Sequence, residues 1–313
     1  YEKASLALKG KSGTNGFFIK TNWSSSLNSN QDTKKTIEFR IKPAKTDANY
    51  LLLALSGSTN SVGTQFPDRD NILILEPYLG SDISSSGDHD QYGRLSLYQG
   101  STIRTSTNYF PVFNGDFWNI HLSIKDITQS PTTASFGAYQ ANWLKNVSYY
   151  VTESHNITTP KRTWGHNQQG AKHVYFGGVP LNSFAQYNNH DGLIYSGSLQ
   201  EVRYYFGEEL SHSTHKKHAL EPFMYAGNSL SSSYDNLVLR LPLGSNDQAD
   251  SSSFHPNIDL NPFLAAPGVG IGFGIIGTSG SFIVGNFSAS ATVGSNMDSQ
   301  VWEEVVEPHY LPT

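Results

Sequence analysis

The chain has 313 residues and a net charge of −5, with 15% charged and 12% aromatic residues, 28 Gly and no Cys. The lack of Cys excludes disulfides, thiolate nucleophiles and thiolate metal sites, and the absence of a basic excess argues against nucleic-acid binding. So low a charged fraction is not typical of coiled coils or helical bundles and favours one large all-β domain or two smaller ones.

Strands are predicted where apolar and polar residues alternate. In the stretch TIEFRIK, Ile37, Phe39 and Ile41 point to one side of a strand and the charged residues point to the other, until Pro43 ends it. Residues 118–124 alternate in the same way. The other predicted strands are residues 4–8, 17–20, 50–56, 71–76, 94–98, 135–140, 147–152, 173–176, 199–206 and 237–243.

One helix is predicted, after the strand at residues 199–206. Ser211 is its expected N-cap, Ser213 to Leu220 form its body and Pro222 stops it. Thr214 stands where a capping box would have Glu, so we expect the helix to be short. Many strands and one short helix predict an antiparallel β-sandwich.

The composition changes after Leu243 and suggests three parts. Residues 1–243 are predicted to form the sandwich, 244–261 a polar linker, and 262–313 the start of a second small β domain or a docking arm. Residues 263–287 carry no charge, but their Pro and many Gly and the lack of basic flanks argue against a membrane span. Because the chain starts without Met and ends at Thr313, we expect it to be part of a longer protein.

Three stretches in order resemble laminin-G-like, concanavalin A-type sandwich modules. They are TIEFRIKP (36–43), FWNIHLSI (117–124), and VYFGG (174–178) followed by YSGSLQEVRYYFGEEL (195–210). In the last stretch, the spacing of Leu199, Val202 and Tyr204 breaks strict alternation once, as a β-bulge does. The resemblance covers about residues 4–222 and implies a jelly-roll sandwich.

The stretch that follows is similar to sequences in structural proteins of tailed phages and other large DNA viruses. It comprises YDNLVLRLP (234–242) and the Phe-His-Pro run at 254–256. This similarity implies a virion component in which the sandwich decorates or docks. The alternative locations are extracellular space and the cell surface.

Glycoside hydrolysis is an alternative because the same fold houses glucanases with paired carboxylates on one strand. The Glu-x-Asp-x-x-Glu run that would mark them is absent. Glu38 and Glu201 each lack a second carboxylate two residues on, and we interpret both as surface carboxylates on solvent faces. The sequence therefore predicts a protein that is not an enzyme.

A calcium site is a further candidate. Asp68 and Asp70, and likewise Asp88 and Asp90, place carboxylates two residues apart in predicted loops, a spacing that can converge oxygens on Ca²⁺. The competing interpretation is that these residues form solvated turns. No other cofactor is predicted.

His212, His215 and His218 lie three residues apart on the predicted helix. Zinc pairs are more often four residues apart on one helix face, so we interpret these histidines and the neighbouring lysines as a solvated basic face.

Aromatic residues in or beside loops favour a lectin-like alternative, because exposed rings can stack on sugars. The candidate glycan contacts are Trp143, Trp164, Tyr92, Tyr109 and Tyr187. The leading hypothesis is a structural virion protein that assembles with other particle proteins, including copies of itself, through strand edges and aromatic loops. Surface glycans are alternative partners.

Overall fold

The computed structural model describes residues 5–8, 19–22, 34–56, 71–80, 89–99, 102–142, 144, 146–158, 164, 173–178, 193–222, 237–241, 279–284, 287–293 and 301–303. Over these residues the chain is made of β-strands, one short α-helix and one turn of 3₁₀-helix at His89–Gln91. The helix, α1, spans His212–Leu220.

Seven strands precede residue 110 in the described part of the chain, and nine follow it. The first are β1 (Ser5–Leu8), β2 (Ile19–Asn22), β3 (Lys35–Pro43), β4 (Tyr50–Ser56), β5 (Asn71–Pro77), β6 (Gly93–Gln99) and β7 (Thr102–Ser106). The second are β8 (Trp118–Ile124), β9 (Thr132–Ala141), β10 (Val147–Ile157), β11 (His173–Phe176), β12 (Gly197–Phe206), β13 (Leu237–Leu241), β14 (Ser279–Val284), β15 (Phe287–Val293) and β16 (Val301–Glu303).

The strands form two antiparallel sheets. Sheet A runs in the order β10-β9-β8-β3-β12-β1-β16, with β13 also paired to β12, and sheet B runs β14-β15-β2-β11-β4-β5-β6-β7. The pairings are antiparallel throughout both sheets. The predicted all-β, antiparallel sandwich is therefore confirmed, and with it the jelly-roll architecture that the resemblance implies.

The core lies between the sheets and is built from the inward positions of the alternating strands. Ile37, Phe39 and Ile41 of β3 are buried, as the sequence predicts. Phe39 meets Phe176 of sheet B edge to face, with ring centroids 5.3 Å apart. Trp118 of β8 is fully buried against Phe110, so aromatic rings from both sheets fill the interior.

The predicted bulge is confirmed in β12. Gln200 pairs with Arg40 and Arg203 pairs with Glu38, so two residues of β12 stand opposite the single residue Phe39 of β3. Glu201, the first of the two, has φ = +49°. A residue with a Cβ in this left-handed region costs roughly 1–2 kcal/mol, so the bulge needs compensating contacts.

Strand β7 and the second half of β10 were not predicted. Both carry mainly polar, exposed side chains in place of an apolar alternation, because each is the end strand of its sheet among the described residues. Beyond Leu243, β15 pairs with β2 and β16 pairs with β1. The division of the chain into sandwich, linker and second domain stays a prediction.

Within the described part of the chain, no helix is both long and apolar enough to cross a membrane. Residues 263–278 of the uncharged stretch lie outside the described residues, and residues 279–284 form strand β14.

Candidate functional site

Helix α1 lies on the outer face of sheet A, across strands β8, β9 and β10. Its N-cap is Ser211, whose side chain accepts a hydrogen bond from the Thr214 backbone N–H at 3.2 Å, as predicted. His215 and His218 lie three residues apart and are both buried against the sheet. The prediction of a solvated basic face is therefore wrong for these two histidines, although His212 is exposed.

The buried carboxylate of Glu38 lies beneath the helix and receives four donors. His215 Nδ1 is 2.9 Å and Asn119 Nδ2 is 2.7 Å from Oε1. His218 Nδ1 is 2.7 Å and Arg203 Nη1 is 3.2 Å from Oε2. An ionised carboxylate only accepts hydrogen bonds, so the Nδ1 atom of each imidazole carries the proton. We call these five residues the Glu38 cluster.

Arg203 links the cluster to the bulge. Its Nε and Nη2 atoms donate to Glu201 Oε2 at 3.0 and 2.8 Å, and Nη2 also donates to the carbonyl of Pro222 just after the helix. The bulge turns the side chains of Glu201 and Arg203 to the outer face of sheet A, where they form this ion pair. The pair thus compensates for the left-handed backbone of Glu201.

The interpretation of Glu38 and Glu201 as surface carboxylates is wrong. Neither side chain exposes any surface to solvent. Both point to the outer face of sheet A, Glu38 through the strand alternation and Glu201 through the bulge, but both are covered there. Each carboxylate is instead paired with Arg203, as a buried charge must be to persist.

Burial and donors act against each other on the pKa of Glu38. Burial would raise the pKa of this carboxyl, but the electrostatic effect of His218 and the hydrogen bonds from both helix histidines lower it well below its ordinary value. Glu38 therefore stays ionised in the folded protein. The Arg203 guanidinium, in direct contact with this carboxylate, provides the opposite charge.

Burial lowers the pKa of two histidines in this region. Burial, followed by the neighbouring His215, lowers the pKa of His121 well below its ordinary value. Burial also lowers the pKa of His218 and outweighs the opposing effect of Glu38. The His121 ring stacks on the His215 ring, with centroids 4.0 Å apart. This contact fits a neutral His121 ring, in line with its lowered pKa.

Hydrogen bonds occupy both carboxylates of this arrangement, whereas His215 Nε2 and His121 Nδ1 are buried without a hydrogen-bond partner among the described residues. Every oxygen of Glu38 is occupied by donors. A second carboxylate, that of Glu201, is held by the same guanidinium. A glycosidase needs two carboxyl groups that face a substrate and a water molecule, whereas these two face Arg203 in the covered outer face. The cluster fastens α1 onto sheet A.

A second region is rich in tyrosine and lies around strands β5 and β6. The rings of Tyr78 and Tyr109 meet edge to face at 4.9 Å, and Arg94 lies over the Tyr109 ring at 5.2 Å. The Tyr78 backbone N–H donates to the Tyr92 carbonyl at 2.9 Å. Tyr92 and Tyr109 are both half-buried, so two of the predicted glycan contacts lie close to each other at one rim of the sandwich.

Trp164 was predicted to contact glycans, but the structure buries it completely in the core. Its carbonyl accepts a hydrogen bond from the buried Lys35 ammonium at 3.2 Å. Its ring cannot stack on a sugar, so this prediction is wrong for Trp164. Trp143 and Tyr187, the remaining predicted glycan contacts, lie outside the described residues.

Of the predicted calcium ligands, only Asp90 lies within the described residues. It is exposed and forms an ion pair with Lys45. Asp68, Asp70 and Asp88 fall outside the described residues, and in the part of the chain that the structure describes no three His, Asp or Glu side chains gather as a metal site. Calcium binding by these residues stays a prediction.

The exposed margin of sheet A is strand β10. It is 11 residues long and pairs with β9 on one side only among the described residues. Tyr149 and Tyr150 expose 37% and 50% of their surface, unusual for large aromatic residues. Strand β7 of sheet B lies beside it and exposes Ile103. The two end strands thus form one exposed side of the sandwich.

No known family model matches the chain, and no curated protein matches it in sequence. Among solved structures, a putative carbohydrate binding protein from Bacteroides ovatus is similar over 98% of this chain and 61% of its own, at 11% identity and a TM-score of 0.46. Domains LG4-5 of the mouse laminin alpha1 chain are similar over 67% of this chain and 45% of theirs, at 10% identity and a TM-score of 0.37.

Tailspike protein 2 from the Escherichia coli O157:H7 bacteriophage CAB120 is also similar. The similarity covers 78% of this chain and 30% of the tailspike, at 14% identity and a TM-score of 0.39. All three TM-scores are below 0.5, so these likenesses carry no conclusion about function.

Proposed function

We propose that this chain is a non-enzymatic structural protein of a virion and that its sandwich associates with copies of itself and with other particle proteins. The observation that carries the proposal is the long, exposed end strand β10 with its two exposed tyrosines. An uncovered end strand presents backbone donors and acceptors to another chain. Tyrosine is also enriched at protein interfaces.

The Glu38 cluster supports the non-enzymatic part of this proposal. Its acidic and basic groups are buried and paired with one another, and helix α1 covers them. The virion location is supported by the resemblance of residues 234–242 and 254–256 to structural proteins of tailed phages and other large DNA viruses.

Association of the isolated chain tests this proposal. In sedimentation-velocity experiments at micromolar concentration, we expect species heavier than the 34.4 kDa monomer, in proportions that rise with concentration. A version extended past both termini is the control, because flanking segments can contribute to assembly. Dispersed monomers for both versions would contradict the proposed function.

Glycan binding is the second candidate function, and the tyrosine rim favours it. Tyr92 and Tyr109 lie close together and are partly exposed, and Arg94 is fixed beside them by Glu76 at 2.8 Å. Half-exposed rings can stack on the C–H faces of sugars while polar groups hold the hydroxyls.

A glycan array tests this candidate. If the rim binds sugars, Tyr109→Ala should reduce binding at least tenfold, on the order of the 1.4 kcal/mol that one aromatic contact contributes. Phe113→Leu, a change of a largely buried ring nearby, is the control for loss of packing. Absence of binding to every glycan by the unmodified chain, with and without added Ca²⁺, would contradict this candidate.

A further inference from the structure

The backbone of β10 shows which way its free hydrogen-bonding groups point. The Ser154 N–H donates to the carboxylate of the adjacent Glu153 at 2.9 Å, at an exposed position. In an antiparallel strand, residues alternate between pointing their N–H and C=O toward one neighbouring strand and toward the other. Ser154 thus points its backbone groups away from β9, into the space where a further strand would pair.

We propose that β10 pairs antiparallel with β10 of a second copy of this chain, about a two-fold axis that passes by Ser154. The inference rests on the proposed function and names the surface and the register of the association. Each Ser154 N–H then donates to the Ser154 carbonyl of the partner subunit and leaves the Glu153 carboxylate free for another contact. A two-fold axis gives a closed dimer with identical surfaces on both sides.

The side chains on either side of Ser154 favour this register. With Ser154 at the axis, Glu153 of each copy lies opposite the partner subunit's His155. His155 lies near Arg104 of β7, because the Arg104 charge, after burial, lowers the pKa of His155. Each copy therefore offers one carboxylate and one neutral imidazole whose N–H can donate a hydrogen bond to it, and the two-fold axis brings them together twice.

Neighbouring registers lack this complementarity. An axis at Glu153 would bring the two Glu153 carboxylates together, and an axis at His155 would bring together two histidines that each lie beside an arginine. A shift by a single residue would place side chains that face one side of the sheet opposite side chains that face the other. The Ser154 register also sets Val151 opposite the partner subunit's Ile157, which pairs apolar side chains on the same face.

Cysteine cross-linking tests the register directly, because the natural chain contains no Cys. Across the axis, the Cα atoms of a hydrogen-bonded pair are about 5.5 Å apart, within the span of a disulfide. Ser154→Cys should therefore give a disulfide-linked dimer on mild oxidation, which a reductant dissolves. Ser148→Cys is the matched control: it is exposed on the same strand, but its two copies would be about 40 Å apart at ~3.3 Å per residue.

The outcomes separate this inference from the proposed function. Efficient dimer formation by Ser154→Cys and little by Ser148→Cys supports the register. Equal cross-linking of both variants overturns the register. If neither variant cross-links but the chain still sediments as an oligomer, the β10 interface is overturned and the proposed function stands. A chain that remains monomeric overturns both.

Charge reversal gives an independent test that needs no oxidation. Glu153→Lys removes the acceptor for the partner subunit's His155 and brings a cation toward Arg104 beside that histidine, twice per dimer, so it should weaken self-association roughly tenfold. Adding His155→Glu to this variant restores opposite charges and should return most of the affinity. Equal weakening by the single and double variants would overturn the predicted acid–base pairing.

Discussion

Replacing Glu38 with Gln should lower the free energy of unfolding by about 3–5 kcal/mol, the usual cost of removing one partner from a buried ion pair. The amide has nearly the same shape, so the loss would come from charge and hydrogen bonding and not from a cavity. Arg203 would keep only Glu201 as a charged partner, and one of the four donors around position 38 would face the new N–H₂ group. Urea unfolding followed by circular dichroism measures the change.

Glu221→Gln is the matched control for this experiment. Glu221 lies at the C-terminal end of the same helix but is exposed, and its backbone N–H, not its side chain, makes the capping bond to the Lys217 carbonyl. This variant should change the free energy of unfolding by less than about 0.5 kcal/mol. If Glu38→Gln and Glu221→Gln had equally small effects, the Glu38 cluster could not be what fastens α1 to sheet A.

The protein should lose stability as the pH falls from 7.5 to 5.5. His121 and His218 have lowered pKa values in the folded chain, so the unfolded chain takes up protons first, near the ordinary histidine pKa of about 6.5. A lowered folded pKa stabilises the protein above the unfolded pKa, and this contribution is lost as the pH falls below it. Where a histidine is protonated in the unfolded chain but neutral in the folded chain, the free energy of unfolding falls by about 1.4 kcal/mol per pH unit.

A second loss should follow at lower pH. The pKa of Glu38 is also lowered in the folded chain, so its contribution is present above the ordinary carboxyl value of about 4.3 and is lost as the pH falls toward the folded value. Urea unfolding at half-unit intervals of pH measures both losses. In His121→Phe, the free energy of unfolding should fall less between pH 7.5 and 5.5, by the contribution of one histidine. The same pH dependence as in the unmodified chain would contradict the lowered pKa of His121.

The sequence predicts the sandwich well because its inward positions follow one local rule. Alternation at Ile37, Phe39 and Ile41 identifies a strand and its buried side without knowledge of any partner. The broken spacing at Leu199, Val202 and Tyr204 likewise locates the bulge, because a bulge is a local feature of one strand. The N-cap at Ser211 is local for the same reason.

The Glu38 cluster could not be predicted in this way, because its members are far apart in the chain. Glu38 and His218 are separated by 180 residues, and each alone is typical of an exposed position. Helix α1 has no apolar face to mark its buried side. Two features of the sequence could have indicated the cluster. The outward positions of the central strands β3, β8 and β12 are polar, and the helix after β12 carries two histidines three residues apart. Taken together, these features indicate a polar face that a polar helix can cover.

The exposed end strands were also hard to predict, because they lack a buried apolar face. The second half of β10 carries Thr152, Glu153, Ser154, His155 and Asn156, which show no apolar alternation because solvent borders much of their surface. Sequence patterns report burial, so a strand that is kept exposed for association with another chain gives little signal.

The most direct test is an NMR titration of the imidazole rings. Helix α1 is fastened to sheet A by buried histidines that hydrogen-bond an ionised Glu38. We predict that the His121 signals keep their neutral positions well below pH 6.5 and that the His218 signals titrate below the pH of an unperturbed histidine, which titrates near pH 6.5. Titration of both at the ordinary histidine pKa, in a chain that stays folded, would contradict the account.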